Sequence, residues 1–128
     1  MHARARLGRI GEELATQHLE RLGYEVLARN VRTAAGEIDL IARSGEALVF
    51  VEVKTRRCRA RRPDAGGPGT EPLAGLRARQ RGRLRRAAVA WLGEAPRRRA
   101  RTLRFDAVGV VVDARDRLLA LEHVEGAF

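Results

Sequence analysis

The stretch from Glu37 to Lys54, EIDLIARSGEALVFVEVK, constrains the fold more than any other part of the chain. Glu37–Ala42 and Ala47–Lys54 read as two β-strands, the second rich in Val and Phe. Ser44, Gly45 and Glu46 supply a tight turn between them, which predicts a hairpin. Side chains alternate along a strand. In the second strand Val49, Val51 and Val53 therefore take one face, and Phe50, Glu52 and Lys54 take the other. Asp39 falls roughly opposite Glu52. A four-residue loop would pair them directly, and a shorter one shifts the pairing by about a residue. Two carboxylates and an amine thus converge at one end of a sheet.

Carboxylates that close repel each other unless a cation lies between them. Mg²⁺ takes oxygen ligands, often one or two carboxylates completed by waters and substrate phosphates. An ion held there polarises a phosphodiester and stabilises developing negative charge. Lys54 beside it could orient or deprotonate an attacking water, or neutralise the transition state. A structural ion pair between Lys54 and either acid is the competing account of a bare Glu-x-Lys on a strand.

The charge balance bears on that choice. The chain carries 26 Lys plus Arg against 16 Asp plus Glu, a net charge of +10. Such an excess points to a polyanionic partner, nucleic acid being the commonest; a basic solvated surface with no partner is the alternative. Every basic residue but one is arginine, and the exception is Lys54. Arg and Lys exchange freely on a solvated surface, but not where a compact ammonium or a movable proton is needed. Lys54 is therefore a candidate for a specific chemical task.

The 128 residues suffice for one domain. Leu7 to Leu22 reads as an amphipathic helix with Leu7, Ile10, Leu14, Ala15, Leu19 and Leu22 inward and Gly23 as its C-cap. On its wheel Glu13 points away from the apolar stripe and Glu12 lies on the flank, near Gly8. Tyr24–Ala28 reads as a short strand. Arg57 to Ala74 is rich in Gly, Pro and Arg and reads as a mobile basic loop. Leu76 to Leu92 reads as a second helix, inward through Leu76, Gln80, Leu84, Ala87, Ala88 and Trp91, with arginines elsewhere. RFDAVGVVV and LLALEHV read as two further strands joined around Asp113 to Asp116. Helix, three strands, helix, two strands implies an α/β fold, a mixed central sheet of about five strands flanked by helices. No run of 18 apolar residues is present, so no membrane span is expected. The N-terminus does not read as a signal peptide. Cys58, the single cysteine, can form neither an internal disulfide nor a zinc site alone, and a lone thiol fits a reducing cytoplasm.

GEIDLIARSGEALVFVEVKTRR resembles the active-site hairpin of the PD-(D/E)XK, or restriction-endonuclease-like, nuclease superfamily. More narrowly, GRIGEELATQHLERLGYEVLARNVRTAAGEIDLIA, FVEVKTR, RFDAVGV and LEHVEGAF resemble the YraN-type family of small bacterial proteins, over nearly the whole chain except about 58–75. The resemblance implies a restriction-endonuclease-like fold. It places the superfamily's two acids on Asp39 and Glu52 and its lysine on Lys54. The acid that junction resolvases carry on their first helix falls on Glu12, where the helical wheel also leads. Asp39, Glu52 and Glu12 are then the implied ligands of Mg²⁺ or Mn²⁺. Ile38 stands where the superfamily label has proline. Arg79 stands where the family usually has lysine, which suggests a phosphate contact rather than proton chemistry. Gln80 either faces the site, as related nucleases place a Gln or Lys, or is a core-edge amide bonded to backbone. Glu37 is either a peripheral ligand or the partner of an arginine, the latter being favoured.

The expectation is a metal-dependent endonuclease hydrolysing phosphodiesters, with DNA ahead of RNA and branched or structured DNA foremost by analogy with resolvases. Arg56, Arg57, Arg77, Arg79 and Arg83 are the expected nucleic-acid contacts. The rival is a non-catalytic nucleic-acid-binding module on the same fold. A third reading is an assembly or ribosome-associated factor. Oligomeric state is left open, a homodimer included.

Overall fold

In the computed structural model, which describes residues 3–58, 78–94 and 100–128, one five-stranded sheet carries a helix on each face. The elements run α1 (Ala3–Arg21), β1 (Glu25–Thr33), β2 (Gly36–Ser44), β3 (Ala47–Arg57), α2 (Ala78–Glu94), β4 (Thr102–Val112) and β5 (Leu118–Val124). The sheet follows chain order, β1-β2-β3-β4-β5. Only β3 and β4 are parallel, and the connection between them carries α2; the other neighbours are antiparallel. This is the mixed α/β architecture that the pattern of apolar runs predicts. Among the described residues no helix is long and apolar enough to cross a membrane.

Alternation along β3 sorts the two cores. Val49 and Val51 join Ala15, Leu19, Leu40, Val108 and Val110 beneath α1. Leu48 and Phe50 join Ile41, Leu84, Ala87, Ala88 and Trp91 beneath α2. Phe50 stacks on Phe105 at 5.6 Å between ring centroids and meets Trp91 edge-on at 5.9 Å, so three of the scarce aromatics form one cluster. The sequence-predicted stripes hold, with two corrections. Leu22 is 54% exposed, because α1 ends at Arg21. The turn that follows is closed by Gly23, whose φ of +90° allows Tyr24 N–H to donate to Leu19 O and Gly23 N–H to Glu20 O. The strand read as ending at Ala28 runs on to Thr33. Leu76 and nearly all of the Arg57–Ala74 loop lie outside the described residues. Arg57 itself closes β3, and Cys58 N–H donates to Val112 O.

Two glycines in α1 differ in kind. A Cβ on Gly11 would overlap Thr55 Oγ1 and stand 2.8 Å from Thr55 Cβ, so the helix touches β3 backbone-close there. A Cβ on Gly8 would meet nothing within 4 Å. Gly11→Ala is therefore expected to force α1 off β3 despite alanine's better helix propensity. It should cost about 1–3 kcal/mol, the usual range for overpacking. A melting temperature at or above that of the wild type would show that Thr55 yields instead.

One buried polar network anchors the far end of the sheet. Asp106, fully buried, accepts hydrogen bonds from Arg104 Nε at 2.8 Å and Gly126 N–H at 3.1 Å, and lies 2.7 Å from His123 Nε2. His123 Nδ1 stands 3.0 Å from His18 Nε2, which ties α1 to β5. Its members come from three separate segments of the chain, around His18, Arg104–Asp106 and His123–Gly126, which only the fold brings together.

Candidate active site

The β2–β3 ladder, regular from Ser44↔Ala47 onward, stops at Leu40↔Val51. The next step of that register sets Asp39 opposite Glu52, as the hairpin geometry predicts. Asp39 does not continue the ladder. Its Oδ2 accepts the Val53 N–H at 2.8 Å, a side-chain acceptor in place of a backbone one. Alternation along β2 breaks at the same point. Ile38 packs under α2 while Leu40 packs under α1, so β2 turns through Asp39 and opens a gap beside β3. A short acid at this position satisfies an otherwise orphaned donor and leaves its other oxygen for chemistry.

Glu52 and Lys54 extend the Phe50 face of β3 to the strand's outer end. Lys54 Nζ stands 3.5 Å from Glu52 Oε1, and both side chains are largely shielded, at 33% and 21% exposure. Asp39 and Glu52 share a hydrogen bond, Glu52 donating when protonated. Burial raises the pKa of each. Asp39 raises Glu52 further, to about 7, against the pull of Lys54. For Asp39 the Val53 N–H works in the opposite direction to burial.

Glu12, half-buried on the flank of α1, is also pushed up by burial and by Asp39, while a hydrogen bond with Asn30 lowers it. Glu13 points outward, as the wheel predicts, and binds Arg29 at 2.7 Å. Glu37 is exposed and lies directly across the β1–β2 hairpin from Arg32, while its charge reaches both Asp39 and Glu12. The three acids named as ligands do not close into one cage. No group of three or more His, Cys, Asp or Glu able to hold a metal is formed among the described residues. The charge of Asp39 reaches Glu12 and raises its pKa. Asp39 and Glu52 remain as a hydrogen-bonded pair of oxygen donors, with the charge of Asp39 opposing ionisation of Glu52.

This donor set fits a hard divalent cation completed by water and phosphate oxygens, and does not fit a soft metal. The deficit of positive charge also sets a pH dependence. Glu52 has a folded pKa of about 7 against an ordinary 4.5. Between those values the folded state holds more protons than the unfolded one, so metal-free stability falls as pH rises through that window. At about 1.4 kcal/mol per pKa unit the full cost is on the order of 3 kcal/mol. In a chelator, Glu52→Gln should melt higher than the wild type at pH 8, by roughly 10 °C for a chain of this size. At pH 5 the two should melt nearly together. A gap independent of pH would remove the shared-proton account of the pair.

The remaining predicted residues separate. Arg83 is exposed, with its Cγ 3.3 Å from where a Cβ of Gly36 would stand; Gly36, at φ +139°, thus lets the arginine cross the start of β2 near Asp39. Arg56 is exposed at the end of β3. Arg57 is already committed, at 2.6 Å from Asp116 Oδ1 and donating to Asp113 O at 2.8 Å, so it ties β3 to the β4–β5 turn. Arg85 and Arg81 lie over the Phe105 and Phe128 rings. Gln80 is half-buried in the first turn of α2, on the stripe of Leu84, Ala87 and Trp91. Arg77 and the side chain of Arg79 lie outside the described residues. Asn30 was not foreseen. Its φ of +49° inside β1 places it against Glu12, and an Asn within a strand was the available signal, since Asn tolerates the left-handed region and is poor in sheets.

Residues 11–110 match the uncharacterised protein family UPF0102. A UPF0102 protein of Acidothermus cellulolyticus is 44% identical over 135 residues, covering 98% of this chain and 96% of its own length. One from Parafrankia sp. is 44% identical over 131 residues and covers both chains completely. Another, from Moorella thermoacetica, is 41% identical over 98% of this chain and 97% of its own. With Glu12, Asp39, Glu52, Lys54 and the whole of α2 falling inside the matched span, the chain belongs to the UPF0102 family.

Proposed function

We propose that this chain is a metal-dependent phosphodiesterase of PD-(D/E)XK type acting on nucleic acid, DNA ahead of RNA, at Asp39, Glu52 and Lys54. The observation that carries the reading is the Asp39–Glu52 pair, two hydrogen-bonded and largely buried carboxylates, Asp39 raising the pKa of Glu52, beside the chain's single lysine. Buried titratable groups shifted by a specific charged neighbour cluster at functional sites. Asp39 and Glu52 would hold Mg²⁺ or Mn²⁺, and the bound ion supplies charge to polarise a phosphodiester and offset its developing negative charge. Val53 N–H fixes one oxygen of Asp39, so the carboxylate is oriented before any ligand arrives. The Lys54 ammonium, anchored by Glu52, points a compact donor at the same end of the strand, where it can orient water or neutralise a phosphate oxygen. Arg83 and Arg56 suit phosphate contacts, which position a strand without reading its sequence.

The second reading is a non-catalytic nucleic-acid-binding module, for which the net charge of +10 and the exposed Arg56 and Arg83 suffice without the acid pair. Purified protein assayed with Mn²⁺ on linear, branched and single-stranded DNA and on RNA separates the two. Metal-dependent scission of any of them supports the enzyme. Tight binding with no scission under any divalent metal leaves the module. Binding itself is expected to fall steeply with salt, since each neutralised phosphate releases counterions. About six contacts would lose on the order of 10³ in affinity between roughly 50 and 200 mM. A binding constant that hardly moves over that range would remove nucleic acid as the partner.

A further inference from the structure

A cleft of about 530 Å³ runs between the first half of α1 and the β1–β2 hairpin, lined by Gly8, Arg9, Glu12, Asn30, Arg32 and Glu37. Its inner end is acidic. Glu37 raises the pKa of Asp39 and Asp39 raises that of Glu12, so this end lies within electrostatic reach of the site described above. Arg9 and Arg32 are exposed and supply its basic groups. The floor includes Gly8, which is set within the helix where a Cβ would meet nothing within 4 Å. Gly11 is required by the approach of Thr55, but packing makes no such demand at Gly8. A helix-interior glycine costs about 1 kcal/mol against alanine, so its effect here is to keep the cleft open.

We infer that this cleft receives one unpaired strand of the nucleic acid leading away from the Asp39–Glu52 site, its sugar-phosphate backbone lying over Gly8 and a phosphate meeting Arg9 and Arg32. The inference rests on the proposed nucleic-acid activity and adds the substrate class, a single-stranded end or branch. The volume suits a nucleotide-sized ligand, whereas a duplex presents a broad convex surface. Among the described residues the lining holds no aromatic ring, so the backbone rather than stacked bases is what it can grip. Arg32 and Glu37 sit opposite each other in the hairpin, and both line the cleft. Asn30, in its left-handed conformation, binds Glu12 and fixes the cleft's inner corner.

Gly8→Gln tests this without changing charge. A good helix former at an unobstructed helical position should keep or raise the melting temperature. Affinity for a single-stranded oligonucleotide should fall at least tenfold, while affinity for a blunt duplex of equal length changes less than twofold. Mn²⁺ binding by the protein should be unchanged. Arg9→Gln/Arg32→Gln should show the same preference for harming single-strand binding. Arg43→Gln/Arg101→Gln, equal in charge but beside the distant β2–β3 turn, should weaken both ligands alike and only slightly. Single-strand binding unaffected by Gly8→Gln overturns the cleft, and so does equal loss for duplex and single strand in all variants. In either case nucleic-acid binding by the wild type keeps the broader reading alive. A wild type that binds no nucleic acid at all overturns both.

Discussion

Lys54→Arg is expected to lose about 10²–10⁴ of metal-dependent cleavage, the range a positioned proton-transfer group contributes, while folding and nucleic-acid affinity stay near wild type. The substitution keeps the positive charge 3.5 Å from Glu52 within reach of an ion pair. A purely structural pair would tolerate it, since such pairs are worth about 0–1 kcal/mol where partly exposed. A guanidinium is planar, bulkier and permanently protonated, so it cannot stand in for an ammonium that must place one compact donor or give up a proton. The rest of the sequence sharpens the comparison, because arginine fills all the other basic positions. Cleavage within a few-fold of wild type in Lys54→Arg, at matched metal and substrate, would leave Lys54 with an electrostatic role only.

Asp39→Asn is the second large effect. An amide oxygen can still accept the Val53 N–H at 2.8 Å, so the gap between β2 and β3 should keep its shape. The charge that a hard cation requires is gone, so divalent-metal binding at the pair should fall below detection and cleavage with it. Removing one of two repelling carboxylates also lets Glu52 ionise more readily, since Asp39 raises its pKa. The metal-free Asn variant should thus be as stable as wild type or slightly more so at pH 8. Asp39→Ala separates charge from scaffold. It strands the Val53 donor at an additional cost of about 1–3 kcal/mol. Calorimetric titration with Mn²⁺ and thermal melting of both variants check the pair of outcomes. Undiminished metal binding in Asp39→Asn would move any metal site elsewhere in the chain.

Much of this molecule follows from one-dimensional pattern. The Val49–Val51–Val53 alternation against Phe50–Glu52–Lys54, the tight turn at Gly45 and the helical stripe of Leu84, Ala87 and Trp91 each depend on near-neighbour geometry, so each was legible in sequence. Glu12 rather than Glu13 was legible for the same reason, because a helical wheel fixes which side chain flanks the apolar face. What the tertiary structure alone decided is where alternation fails and what lies across space. The turn of β2 through Asp39 depends on a donor from Val53, fourteen residues away. Arg57, one more arginine in a basic run, is committed to Asp116 by the fold of the β4–β5 turn. Gly8 and Gly11 look alike in sequence, three residues apart on one helix, and only the nearness of Thr55 distinguishes a glycine that packing requires from one that leaves a cleft open. Local periodicity is set by bond geometry and recurs in any sequence. A long-range contact exists only once the chain has closed on itself, and the burial and charge that raise the Glu52 pKa to about 7 arise at that step.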